Sequence, residues 1–141
     1  LATEIDTIIA DIEKVTTKVI KKMSLDIVAN LQEITPVDTG WARANWIPSI
    51  GSSHSLDGTP PKDPEEAKSA VAARAAIAAE GVSRVANYEI KDGAIFISNN
   101  VPYIKRLDEG HSQKAPAGFV RQSVEIALTQ NLKELDNVNP N

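Results

Sequence analysis

The segment Tyr103-Ile104-Lys105-Arg106-Leu107-Asp108-Glu109-Gly110-His111-Ser112-Gln113-Lys114-Ala115-Pro116-Ala117-Gly118-Phe119-Val120-Arg121 joins two kinds of pattern. Before it, apolar residues alternate at period two, as strands require. After it, they recur at spacings of three and four, as on one face of a helix. The glycines, the proline and the dense charge between them make it a hinge. Its charges invite two readings, a catalytic pocket or a loop positioned for a partner, and no enzyme motif fits it.

Working outward, Arg84 to Lys91 and Ala94 to Asn99 alternate around Asp92-Gly93, a pairing that predicts a β-hairpin. From about Pro116 a last helix is expected, with Val120, Val124, Ala127, Leu128 and Leu135 on one face, followed by a frayed tail at 137–141. Asp63-Pro64-Glu65-Glu66 is a helix start, with Asp63 as N-cap and Pro64 at the first position. That alanine-rich helix is expected to stop at Gly81. Gly51 to Asp63 has the composition of an exposed loop and is the best candidate for a mobile arm. Trp41 to Ile50 reads as a strand, or as a helical turn running into one, with Pro48 limiting it to an edge position or a bulge.

The chain opens with an amphipathic helix from about Thr3 to Glu33. Ile5, Ile8, Ile9, Ile12, Val15, Val19, Met23, Ile27, Leu31 and Ile34 draw one apolar stripe along it. At 1.5 Å per residue it spans about 45 Å, more than a compact domain of this size covers, so part of the stripe is free to face another subunit. The competing expectation is that the whole stripe packs on its own sheet. Together these elements predict one α+β domain over residues 1–141, in which a small, mainly antiparallel sheet packs against the long N-terminal helix and a C-terminal helix.

Composition narrows the function. With 141 residues, 42% hydrophobic and 24% charged, the chain can bury a core without staples, and the absence of cysteine excludes disulfides and thiolate chemistry. No apolar run approaches the ~20 residues of a membrane span, and charge in the first segment argues against a signal peptide. A net charge of −4 speaks against a phosphate-gripping protein. The early cluster Lys14, Lys18, Lys21 and Lys22 reads as a solvated helix face. His54 and His111 are the only histidines, and Asp108-Glu109-Gly110-His111 matches no established metal spacing. Neither metal nor cofactor is expected.

Asp38-Thr39-Gly40 is also the catalytic triplet of aspartic proteases, where two copies set paired carboxylates around one water. A single copy requires a homodimer. A preceding long helix and the following Trp41 favour a turn instead, with Asp38 capping amides and Gly40 supplying an unusual dihedral. Arg43, Arg106 and Arg121 together with Asp108 and Glu109 suggest an ion-pair cluster, either structural or between subunits.

Thr35-Pro36-Val37-Asp38-Thr39-Gly40-Trp41-Ala42-Arg43-Ala44-Asn45-Trp46, then Ser98-Asn99-Asn100-Val101-Pro102-Tyr103-Ile104 and Leu107-Asp108-Glu109-Gly110, and last Ser112 to Arg121, resembles in order the small neck and tail-completion proteins of long-tailed bacteriophages. An aliphatic residue stands in many members where this chain has Ala42. The resemblance covers most of the chain outside Gly51 to Glu80. It implies a non-enzymatic virion component, assembled in the host cytoplasm as a homo-oligomeric ring in the neck or upper tail. Its partners would be the capsid connector or adaptor and the tail terminator or tail tube. DNA would pass through the lumen without specific binding, which suits an acidic subunit. A ring needs two different patches on each subunit. The expected interface residues are Ile5, Ile8 and Ile12 on the first helix, His54 and Leu56 in the 51–63 loop, and His111, Gln113 and Lys114 in the loop before the last helix. Asp38, Gly40, Arg43, Arg106, Asp108, Glu109 and Gly110 are expected to form one structural corner. An aspartic protease using Asp38 and an unrelated oligomeric adaptor stand as alternatives.

Overall fold

The computed structural model describes residues 2–110 and 115–137. In order it contains helix α1 (Ala2–Ile34), a short helix α2 (Trp41–Ala44), strand β1 (Ile47–Ile50), helix α3 (Pro64–Ala86), a 3-10 turn (Ile90–Asp92), strand β2 (Ile95–Ser98), a short helix α4 (Ile104–Asp108) and helix α5 (Phe119–Asn137). This is an α+β fold with a long N-terminal helix, a C-terminal helix and a two-stranded antiparallel sheet.

The sheet is not the expected hairpin. β1 pairs with β2 in the register Ile47↔Ser98, Pro48↔Ile97, Ser49↔Phe96 and Ile50↔Ile95. All of α3 lies in the connection between them. Arg84 to Ala86, taken as the first strand of a hairpin, continues α3 instead. Asp92-Gly93 makes a different turn: the Asp92 carboxylate accepts from the Glu89 amide at 2.9 Å, and Gly93 leaves the turn at φ 100°. Tyr88 is buried beside it and donates its hydroxyl proton to the Gly93 carbonyl at 2.6 Å.

Nor does Gly81 end a helix. It lies inside α3, which runs five residues beyond it, at the point where the helix crosses β1. A Cβ there would stand 2.4 Å from the Pro48 carbonyl oxygen. Glycine is needed for close approach, not for a left-handed cap. At the other end of α3, Asp63 caps as expected, its carboxylate accepting from the Glu65 and Glu66 amides at 2.9 and 3.0 Å.

The core forms where α1 ends. Leu31 meets Trp46, Ala115 and the fully buried Phe119, with Ile27, Ile34, Ile97, Ile104, Leu107 and Val120 packed around them. The Trp46 indole N–H donates to the Thr35 hydroxyl at 2.8 Å, and that hydroxyl donates to the Leu31 carbonyl. The Leu31 carbonyl also accepts from the Thr35 amide at 3.0 Å, so one buried threonine satisfies the tryptophan N–H and doubles its own bond to the last helical turn.

α5 runs antiparallel to α1. Asn30 donates to the Ser123 carbonyl at 3.1 Å, Asn131 to the Asp26 carboxylate at 2.9 Å, and Lys22 pairs with Glu134 at 3.3 Å. As numbers rise along α5 they fall along α1, so α5 ends beside the Lys22 level of α1.

Candidate functional site

Because α5 stops there, the apolar stripe of α1 loses its cover halfway along. Val28 and Leu31 are buried, whereas every residue from Thr3 through Val15 is exposed. Ile5 is 51%, Ile8 58% and Ile12 60% exposed. The exposed stretch projects about 20 Å at 1.5 Å per residue. Leu132, near the end of α5, is also exposed. Of the two expectations for the stripe, that it packs wholly on its own sheet fails in the N-terminal half.

Further along α1, Ala10, Glu13, Lys14, Thr17, Lys18 and Lys21 face the segment 86–91 across an open groove. The Ile90 amide donates to the Thr17 hydroxyl at 3.1 Å. Lys22 pairs instead with Asp26 at 2.9 Å and with Glu134. The four lysines thus divide between two faces and are interleaved with carboxylates. Burial tends to push the Asp26 carboxyl up, but hydrogen bonds from Lys22 and Asn131, with the lysine's charge, hold it below its ordinary value.

The motif residues converge on a corner beneath the C-terminal end of α1. Gly40, at φ 86°, turns the chain into α2. The Trp41 indole N–H donates to the Gly58 carbonyl at 2.7 Å, and the Arg74 guanidinium lies 5.1 Å from the ring centroid. Arg74 also donates to the fully buried Asn45 at 2.9 Å and to the Asp57 carbonyl at 2.6 Å. Asn45 in turn donates to the Trp41 carbonyl at 2.8 Å, and Asn99 to the Ala42 carbonyl at 2.8 Å. The first two motif stretches are therefore hydrogen-bonded together.

The 51–63 loop lies against this corner instead of extending from it as an arm. Asn100 donates to the Leu56 carbonyl at 2.9 Å and to the His54 carbonyl at 3.3 Å. Gly58 is buried, and a Cβ on it would meet the Asn100 carbonyl oxygen at 2.1 Å. His54 and Leu56 are half-buried. His54 Nε2 lies 3.3 Å from the Ser98 carbonyl, and its Nδ1 accepts from the Leu56 amide at 3.3 Å. The His54 ring and the Leu56 backbone thus anchor the loop.

The charged part of the corner differs from the expected ion-pair cluster. Among the described residues, no ion pair joins Arg43, Arg106 or Arg121 to Asp108 or Glu109. Arg43 donates to the Glu33 and Thr35 carbonyls at 3.1 and 3.2 Å, closing the C-terminal end of α1, where a cation also suits the helix dipole. The Asp108 carboxylate accepts from the Val120 amide at 2.9 Å, and its carbonyl from Gly118 at 2.7 Å, so it starts α5. Arg121 pairs with Glu125 at 2.9 Å. Helix ends carry unsatisfied backbone groups, and Arg43 and Asp108 satisfy some of them. Gly110 turns the chain at φ 94°; Arg106 and Glu109 are exposed.

Asp38 is exposed in the bend before α2. It lies close to Tyr103, whose phenol is pushed up by partial burial and by the Asp38 charge. Among the described residues, no cluster of three or more His, Cys, Asp or Glu is arranged to hold a metal ion, and no helix is long and apolar enough to cross a membrane. His111, Gln113 and Lys114 lie outside the described residues, as does the tail beyond Asn137.

A groove between α3 and the α2 corner was not anticipated from sequence. Gly40, Arg43, Val71, Ala75, Ala79 and Val82 line it, and its volume is about 810 Å³. The alanine content of α3 was the available signal, because alanines leave space that larger residues would fill. No family model, curated protein or solved structure matches the chain.

Proposed function

We propose that the chain is a structural virion protein of a long-tailed bacteriophage, a subunit of the neck ring that completes the tail and joins it to the capsid connector. The observation that carries this reading is the uncovered half of α1. Ile5, Ile8, Ile9, Ile12 and Val15 are each about half exposed on the part of α1 that extends past the end of α5. Full burial of such a side chain contributes about 1.5–3 kcal/mol, so covering the remaining halves yields on the order of 5 kcal/mol. Association costs about 4–15 kcal/mol. A single contact of this kind is weak, whereas closure of a ring on a tail or connector template sums several. The ordered motifs support the same reading, since the first two are joined by the hydrogen bond from Asn99 to the Ala42 carbonyl.

A net charge of −4 suits a ring that DNA crosses without being held. The test is the mass of the purified chain, alone and mixed with tail tubes or capsid connectors. Joining either as a ring supports the proposal, and a chain that joins neither rejects it.

A further inference from the structure

The exposed stripe and the α3 groove sit at opposite ends of one rigid rod. Gln32, near the end of α1, also lines the groove. Ile8 lies twenty-four residues earlier in the same unbroken helix, about 36 Å away at 1.5 Å per residue. No glycine or proline interrupts α1, so its first turns cannot fold back into their own groove.

We infer that the N-terminal segment of α1 docks in the groove between α3 and α2 of a second copy of this chain, making a head-to-tail contact. This deepens the ring reading and rests on it for closure. The two surfaces match in shape. A groove floored by Ala75 and Ala79 leaves room for the branched side chains of Ile5, Ile8 and Ile12. They also match in charge. Residues 2–13 carry Glu4, Asp6, Asp11 and Glu13 and no cation. Glu4, Ile8 and Asp11 follow one helical line, so carboxylates edge the stripe. The groove has no acidic lining residue. It holds Arg43, whose Nε is buried and has no hydrogen-bond partner among the described residues. Lys68 stands three residues before Val71 and seven before Ala75, on the same face of α3. Because the donor and acceptor surfaces differ, each copy keeps one of each free, and repetition gives a ring or an open filament.

The chain has no cysteine, which makes cross-linking specific. Two single variants, Ile8→Cys and Ala75→Cys, are prepared as full chains with tags of different mass, checked for unchanged helical circular dichroism, mixed and mildly oxidised. A disulfide between the two variants is expected, and introducing Ala79→Glu into the Ala75→Cys partner should lower its yield at least tenfold. Dimers formed only by Ile8→Cys with itself would mean stripe-to-stripe pairing and overturn the inference. Absence of any cross-link, or an 8–75 bond insensitive to Ala79→Glu, overturns it as well. These failures are distinct from failure of the ring reading, which is decided by binding of the unmodified chain to tail tubes or connectors.

Discussion

Replacing Gly81 with alanine sets two terms of opposite sign against each other. In an exposed helix interior, alanine is favoured over glycine by about 0.8–1.0 kcal/mol. Here the added Cβ would lie 2.4 Å from the Pro48 carbonyl oxygen, 3.0 Å from its Cγ and 3.1 Å from its Cδ. Relief to ordinary contact needs a shift of about 1 Å, and the atom that must yield is backbone in a paired strand. Overpacking of this kind costs about 1–3 kcal/mol. With an unyielding neighbour the upper part of that range applies, leaving a net loss of about 1–2 kcal/mol. For a domain of this size the midpoint of thermal unfolding should fall by about 3–8 °C. Urea unfolding followed by circular dichroism gives the free energy directly. Ala76→Gly, exposed on the same helix, serves as the control and should lose about 1 kcal/mol from propensity alone. Substitutions in opposite directions would then both destabilise one helix. A Gly81→Ala chain as stable as the wild type would refute the close-approach argument.

The cap of α3 gives a second prediction: Asp63→Ala should cost about 1 kcal/mol, read as a lower urea midpoint, and an unchanged midpoint would show that the carboxylate bonds contribute nothing net. Asp26 gives a pH-dependent one, because a carboxylate whose folded pKa is lowered stabilises the fold above its unfolded value and loses that contribution as pH falls through the folded value. Wild type should therefore outlast Asp26→Asn in urea above pH 3.8, the ordinary aspartate value, with the advantage shrinking at lower pH; an advantage independent of pH would contradict the α1–α5 pairing described above.

What was legible in the sequence is mostly what local patterns control. The period of the isoleucines gives α1, its length exceeds the domain, and the excess emerges as an exposed face. Asp63-Pro64 marks the start of α3 because a cap needs only its own neighbours. Gly81 misleads because a glycine that ends a helix and a glycine that lets a strand approach look alike until the strand is placed. Asp92-Gly93 misleads for a related reason, since the same dipeptide closes a 3-10 turn. The partner that β2 selects lies on the far side of α3, and no local rule names it. At the corner, the residue types were legible but their pairings were not. Arg43 and Asp108 attract attention as opposite charges, yet the nearer unsatisfied groups are the last carbonyls of α1 and the first amides of α5. The α3 groove is a property of what alanines leave unfilled, which appears only when the helix is set against α2.

The most direct test of the assembly account is the light-scattering mass of the chain mixed with tail tubes or capsid connectors, for the wild type and for the double variant Ile8→Asp/Ile12→Asp. Both positions are exposed in the single chain, so the variant should remain a folded monomer by circular dichroism. The wild type is expected to join one partner as a ring, and the variant to join neither. A ring that forms equally well with two aspartates on the stripe would remove α1 from the interface and contradict the account.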